Sequence, residues 1–263
     1  MYRLFIIFVF SFISWTQAQA DTFDHSAWDQ LLKQHVYELS DGKTTEVDYD
    51  GFVEDKIKLT NYLNTLSAIN KSEFENWSED EQLAFLINAY NAWTVNLVLT
   101  GYPKIDSIRD LGNIIFTPFG KDIVSLFGEQ ISLDDIEKDL ILNNFKESRI
   151  HFALNCASIS CPSLKTEAYD GERLEKQLHD QMATFLSDKK RNYLDGNNLR
   201  VSSIFKWYDD DFEDSDASIN EIEDYFIKHS ELFDSSSADT QKIKSGEFKI
   251  KFLKYDWNLN KRN

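Results

Sequence analysis

The stretch from Ser78 to Gly101 constrains the fold more than any other part of the chain. Ser78-Glu79-Asp80-Glu81 has the form of a capping box, in which a hydroxyl and a carboxylate satisfy orphan backbone N–H groups at a helix start. The spacing predicts a helix to about Thr100, stopped by Gly101 with Pro103 beyond. Leu83, Leu86, Ile87, Tyr90, Leu97 and Val98 recur at helical intervals, and Phe85, Ala89, Ala92 and Trp93 make the other side apolar too. A helix apolar on most faces has to be enclosed, so the rest of the chain must wrap around it.

Further helices are expected where Ser132 to Asp135 precedes the stripe Leu133, Ile136, Leu140 and Ile141, and over about 172–186, where Leu174, Leu178, Met182 and Phe185 are in register. Ser218 to Glu221 reads as another capping box, ahead of Ile222, Tyr225 and Phe226. Strand signals fall in the second half. A hairpin is expected over 122–131, turning at Phe127-Gly128-Glu129, and alternation predicts a strand from Ile150 to Cys156. Tyr193-Leu194 and Leu199-Arg200-Val201 flank the turn 195–198, and 248–255 makes a last strand. Phe233 to Gly246, with three consecutive serines, reads as a surface loop. Helices followed by short strands mixed with helices predict an α+β class: a helix-rich single domain with a small, mainly antiparallel sheet.

The first twenty residues fall outside that domain. Arg3, the apolar stretch Leu4 to Trp15 and Ala18-Gln19-Ala20 read as a cleavable signal peptide. The apolar stretch is shorter than the roughly 20 residues that span a bilayer, so no stable membrane anchor is expected once it is removed. The expected organisation is therefore a leader at 1–20 and one globular domain at 21–263, exported to a periplasmic or extracellular location. Only 3 prolines and 9 glycines argue against linkers, and 14% aromatic residues point to a well-filled interior. The net charge of −17 repels phosphate backbones and anionic lipid surfaces, which excludes nucleic acid as a partner.

Chemistry concentrates in Arg149-Ile150-His151-Phe152-Ala153-Leu154-Asn155-Cys156-Ala157-Ser158-Ile159-Ser160-Cys161-Pro162, which holds both cysteines and one of five histidines. A thiolate nucleophile needs a nearby base or cation to lower its pKa, and imidazole is the usual one. On a straight strand His151 shares a face with Asn155, while Cys156 projects from the other, so the couple requires a bend just past Asn155. The alternative is a Cys156–Cys161 disulfide, suited to an oxidising compartment and closing a loop short enough to bridge. Zinc lacks a fourth ligand, and neither metal nor cofactor is expected.

Two further groups stand out. Asn88 and Asn91, at i and i+3 on the buried helix, either bond loop backbone and fix the helix in place or line a pocket. In Phe205-Lys206-Trp207-Tyr208-Asp209-Asp210-Asp211-Phe212, aromatics adjoin carboxylates; such a run can bind cations or sugars, and more often forms a solvated strand end. His25, His35, His179 and His229 carry no neighbouring signal and read as surface or helix-face residues.

Five ordered segments resemble the domain of unknown function 547 family: Ala84 to Ala92; Tyr102-Pro103 with Ser107 to Asp110; Ile131 to Glu137; His151 to Cys156; and Tyr255 to Asn260. The resemblance covers about 81–260. It implies one mixed α/β domain, found alone in exported bacterial proteins and attached to other segments elsewhere, and carries no assigned substrate, cofactor or catalytic residue. A helix followed by a histidine-bearing strand is also similar to papain-like and transglutaminase-like thiol enzymes, in which the nucleophile starts the helix; here that helix has no cysteine.

These readings give two expectations. One is a thiol-dependent hydrolase or acyl transferase acting on a peptide-like or amide ligand, with Cys156 attacking, His151 as base, and Asn155 or Asn88 orienting the imidazole or holding the oxyanion. The other is a non-catalytic binding or structural module for a small-molecule or peptide ligand, stapled by Cys156–Cys161. A thiol–disulfide exchanger fits less well, because the pair is not C-x-x-C.

Overall fold

The central helix, Glu79–Leu99, has sixteen of its 21 residues buried, which makes it the post around which the domain is assembled. In this computed structural model, which describes residues 22–113 and 117–262, it is packed by helices from both sides in sequence. The helices Tyr49–Glu54 and Lys56–Ala68 lie against it from upstream, with Ser26–His35 packed on the latter. Ile136–Leu142 and Leu174–Ser187 lie against it from downstream. The proposed leader, 1–20, lies outside the described residues.

Only half of the capping box at its start forms. The Ser78 hydroxyl accepts from the Glu81 N–H, but the Glu81 carboxylate reaches sideways and accepts from the Phe23 N–H at 2.9 Å. It thereby ties the first described residues to the central helix. Gly171 packs against the same residue so closely that an added Cβ would lie 2.3 Å from Glu81 Oε2.

The class is helix-rich α+β. Among the described residues the strands are divided among three small sheets: the antiparallel pairs Val36–Glu38 with Thr45–Val47 and Val124–Leu126 with Glu129–Ile131, and a three-stranded sheet ordered Tyr193–Asp195, Asn198–Val201, Lys249–Phe252. In the last, the first pairing is antiparallel and the second parallel. The 124–131 hairpin turns where expected, with Phe127 and Gly128 at φ +55° and +81°.

Two apolar clusters form the interior. The larger surrounds the central helix and includes Trp28, Tyr62, Phe85, Leu86, Ile150 and Leu154. The smaller, around the three-stranded sheet, sets the aromatic residues Phe152, Phe185, Phe205, Phe212, Tyr225 and Phe226 among aliphatic ones such as Leu186, Leu199 and Val201. Truncating a fully buried Leu86 or Phe205 would remove about 2–5 kcal/mol.

Four sequence expectations change. The 150–156 strand is instead a 3₁₀ turn over Ser148–Phe152 whose backbone continues through Ala153 N–H to Ile150 O at 2.8 Å and Leu154 N–H to Ile150 O at 2.9 Å. The alternation is real, but among the described residues no strand pairs with it; the segment straddles the clusters, sending Ile150 and Leu154 to one and Phe152 to the other. The acidic run is a short helix, Asp209–Glu213, and not a strand end. The serine-rich stretch holds a helix, Ser237–Lys244, capped by Ser236. Ser218 caps nothing: its hydroxyl bonds Asp216 and the Ile222–Lys228 helix starts without a side-chain cap.

Candidate functional site

A single turn sets the site. After the 3₁₀ segment the chain reverses at Ala157, whose φ of +61° is a left-handed conformation uncommon for a residue with a Cβ. Asn155 holds it there: its side-chain oxygen accepts from the Ala157 N–H at 3.0 Å, and its side-chain N–H donates to Pro162 O at 2.7 Å, closing the 155–162 loop. Asn91 holds the loop in turn, accepting from the Asn155 N–H at 2.8 Å and donating to Ala153 O at 3.0 Å. Asn88 does the same one turn earlier, pairing with both backbone groups of Tyr169 at 2.8 and 2.9 Å. All three amides bond backbone, Asn155 also accepting from the Asn260 side chain at 3.4 Å, and none of the three lines the cavity that follows.

The reversal turns Cys156 into a cavity of about 130 Å³ that His151 also lines. Cys156 is partly exposed and Cys161 buried, and both thiols are free, so the bridge allowed by their spacing is not formed. The Cys156 N–H donates to Cys161 Sγ at 2.7 Å. The Cys156 sulfur lies 3.0 Å from Ser158 Oγ and 3.1 Å from the Tyr255 hydroxyl. Burial disfavours a thiolate here, but hydrogen bonding from Cys161, Ser158 and Tyr255 outweighs it and holds the Cys156 thiol below its ordinary range. Burial and the adjacent Cys156 sulfur push Cys161 well above that range, so the two thiols are chemically unequal.

His151 is fixed by its surroundings. Nε2 lies 2.8 Å from Asp211 Oδ2, and the Tyr208 ring stacks on the imidazole with centroids 3.9 Å apart. A carboxylate acceptor places the proton on Nε2 and leaves Nδ1 as the basic nitrogen. Among the described residues the imidazole is not a hydrogen-bond partner of Cys156; the two share the cavity without a direct bond. Glu137, on a π-helical stretch over Ile136–Leu142, is buried in the same wall. Burial raises its carboxyl above the usual range against the opposing pull of a Tyr208 hydrogen bond and of His151.

Five residues of the site were not assigned to it from sequence: Asp211, Tyr208, Tyr255, Ser158 and Glu137. Their signal lay in plain view. Tyr208 and Asp211 belong to the aromatic-acid run, and Tyr255 and Glu137 to two of the ordered segments noted above.

Those segments converge. Tyr90, Glu137, His151 with Cys156, and Tyr255 with Trp257 bring four of them to the cavity wall. The remaining one supports the rim: Ser107 Oγ donates to Trp257 O at 2.7 Å and the Arg109 guanidinium lies 5.2 Å from the Trp257 ring centroid. A larger cavity of about 540 Å³ lies on the other side of the 158–163 loop and shares Cys161 and Pro162 with the small one. Among the described residues no group of three or more His, Cys, Asp or Glu is placed to hold a metal, and no helix is long and apolar enough to cross a membrane.

Fold and site together define a helix-rich α+β domain that gathers a thiol, an imidazole–carboxylate pair and a buried carboxyl around one small aromatic cavity. Residues 74–186 match the model of the family described as "Protein of unknown function, DUF547". That match holds the central helix, Glu137, His151 and both cysteines; Tyr208, Tyr255 and Trp257 of the cavity wall, and Asp211, which bonds His151, lie beyond it. No curated protein and no solved structure matches the chain.

Proposed function

We propose that the domain is an exported thiol-dependent acyl-transfer enzyme, a hydrolase or transferase acting on peptide-like or amide substrates. The observation that carries this reading is a partly exposed thiol with a lowered pKa in the same cavity as a histidine oriented by a carboxylate. Cys156 attacks the substrate carbonyl as a thiolate held by the Ser158 and Tyr255 hydroxyls. His151, with Asp211 fixing its tautomer, takes up the thiol proton, delivers it to the leaving group, and then takes a proton from the acceptor that resolves the thioester. Asn155 and Asn91 act earlier in the chain of causes, as braces of the loop that presents the thiol. The larger cavity, with hydroxyls and amides such as Thr45, Ser160 and Asn258 in its wall, has the size of a ligand site and suits a peptide-like donor. The export reading rests on the leader-like residues 1–20.

Iodoacetamide at pH 6, followed by mass mapping, tests the thiol. Cys156 is expected to be carboxamidomethylated within minutes, Cys161 only after unfolding, and a Cys156→Ser variant not at all in the folded state. A native Cys156 that resists the reagent while Cys161 reacts would remove the reading. The rival, a non-catalytic module stapled by Cys156–Cys161, draws on the 2.7 Å approach of Cys161 Sγ to the Cys156 N–H. It predicts a mass two hydrogens lower before reduction and no alkylation of either cysteine.

A further inference from the structure

The small cavity has an unusual wall for so acidic a chain. Tyr90, Phe119, Trp207, Tyr208, Tyr255 and Trp257 supply six aromatic rings, Asp134 and Glu137 supply two carboxyls, and among the described residues no lysine or arginine lines it. Trp207 and Trp257 are stacked 5.8 Å apart at 22°, and Tyr255 leans on both at 4.8 and 4.6 Å. Trp207 is exposed, so this cluster forms a platform at the mouth. Aromatic faces carry negative potential and attract cations, by about 0.5–2 kcal/mol according to desolvation. One ring of the platform already does so, since the Arg109 guanidinium sits against Trp257. Asp134 is engaged from outside by Lys138 at 3.3 Å, whereas Glu137 is buried and is held from within by Tyr208. The volume, about 130 Å³, is close to that of cavities that accept a benzene-sized guest, and so takes one small group and not a whole substrate.

Resting on the thiol reading above, we infer that the aromatic, carboxylate-bearing cavity beside Cys156 is an acceptor site for the ammonium group of a small primary alkylamine, which makes the enzyme an amide-forming acyl transferase. The protonated amine enters between the rings and gives one proton to the Glu137 carboxylate. The neutral nitrogen attacks the carbonyl carbon of the Cys156 thioester, forming the C–N bond. The C–S bond breaks with its electron pair returning to sulfur, and the second nitrogen proton passes to His151. The products are a secondary amide and the free thiolate, and Glu137 and His151 release their protons to solvent, so no oxidant or other co-reactant is needed.

The test uses p-nitrophenyl acetate as acyl donor and 1-aminobutane as acceptor, with 1-butanol as the uncharged counterpart of similar size. A Cys156-dependent burst of nitrophenolate reports thioester formation, and mass spectrometry reports N-butylacetamide over the background of the Cys156→Ser protein. Protection of Cys156 from iodoacetamide by butylammonium or by 1-butanol reports charge recognition without any acyl chemistry. Expected are saturable amide formation, half-protection at about tenfold lower concentration for butylammonium than for 1-butanol, and loss of that preference in Glu137→Gln. Trp257→Leu, on the rim, supplies a second variant with the same expected direction should the buried substitution fail to fold. A burst followed by hydrolysis alone, with butylammonium and 1-butanol protecting equally, overturns the acceptor site and leaves the thiol enzyme standing. The lack of any burst in the unmodified protein removes the thiol reading and the acceptor site with it.

Discussion

Two histidine–aspartate pairs in different regions of the molecule are built almost identically. In the N-terminal helical layer His35 Nε2 lies 2.9 Å from Asp55 Oδ2; at the seam between the two apolar clusters His151 Nε2 lies 2.8 Å from Asp211 Oδ2. Each imidazole is buried, each carboxylate is partly exposed, and each ring is backed by an aromatic, Phe52 at 4.8 Å and Tyr208 at 3.9 Å. They differ in what lies beyond the ring. His35 faces the backbone of Gly51, where an added Cβ would fall 2.3 Å from Nδ1, so that nitrogen is sealed by the chain itself. His151 opens on a cavity shared with a thiol. An imidazole–carboxylate pair is thus a structural motif by default, and becomes chemistry only where the free nitrogen meets a space that a substrate can enter.

The largest effect expected from breaking this comparison is kinetic. Asp211→Asn leaves shape almost unchanged but no longer selects the tautomer with its proton on Nε2. It is expected to slow Cys156 acylation by p-nitrophenyl acetate by roughly 10²–10⁴-fold, the range spanned by general acid–base assistance and tautomer control elsewhere. Asp55→Asn is expected to leave that rate within about twofold while lowering the melting temperature, because Asp55 also pairs with Lys58 at 2.8 Å at the start of the Lys56–Ala68 helix. Burst kinetics and thermal melts on both variants decide it. Equal slowing by the two would show that neither pair is distinguished by its cavity.

Neither pairing was read from the sequence, though parts of the fold and of the site were, and the unread part has physical causes. The helix from Glu79 to Leu99 was legible because its cap, apolar periodicity and stop signal agree. The helix Lys56–Ala68 was not anticipated: Leu59, Tyr62, Leu63 and Leu66 have helical spacing, but no side-chain cap announces its start. The 150–156 segment misleads because alternation encodes two-sided burial, and here the two sides are two clusters and not the faces of a sheet. His151 and Cys156 were found by residue type, and the need for a bend past Asn155 follows from strand geometry; the left-handed Ala157 that makes it is invisible in sequence. Asp211 is 60 residues from His151, and no local pattern encodes so distant a pairing. The reading of His25 and His35 as surface or helix-face residues fails on burial, for both are more than nine-tenths enclosed.

His25 sharpens the comparison from the other direction, as a buried imidazole without a carboxylate bonded to its ring. Its Nδ1 lies 2.7 Å from the Tyr62 hydroxyl, and Nε2 has no partner. Burial pushes its pKa down from 6.5 to about 3, against a small upward pull from Asp24. In the unfolded chain the same group protonates near 6.5. Below that pH the unfolded state therefore binds one more proton, and stability falls as pH drops, by about 1.4 kcal/mol per unit, until the folded group titrates. His229, lowered to about 4 by burial first and by nearby cations, adds a loss of the same sign. Subtracting His25→Phe from the unmodified protein isolates the first contribution. Urea denaturation at pH 6 and pH 5, above most carboxylate titration, is expected to show the unmodified protein losing about 1.2 kcal/mol more than the variant. Parallel losses in the two proteins would mean that His25 takes up its proton without unfolding.

The smallest effect concerns the seal itself. Gly51 sits inside the short helix Tyr49–Glu54, so an alanine there strains no dihedral, and its methyl group meets a side chain instead. That methyl would lie 2.3 Å from His35 Nδ1, 2.7 Å from Cε1 and 2.9 Å from Asp48 Oδ2, too near for the imidazole to stay where Asp55 holds it. Overpacking of this kind costs about 1–3 kcal/mol, and Gly51→Ala is expected to lower the melting temperature by several degrees while acylation of Cys156 proceeds at its ordinary rate. The contact also dictates how the loss is coupled. In a His35→Ala background the clashing ring is gone, so the added methyl is expected to cost less than about 0.5 kcal/mol, and the double-mutant cycle should return an interaction energy of about 1–2 kcal/mol with a compensating sign. Additive losses would place the cost on Asp48 or the helix backbone and leave His35 unsealed. The distinction between a closed and an open imidazole would then rest on the cavity at His151 alone.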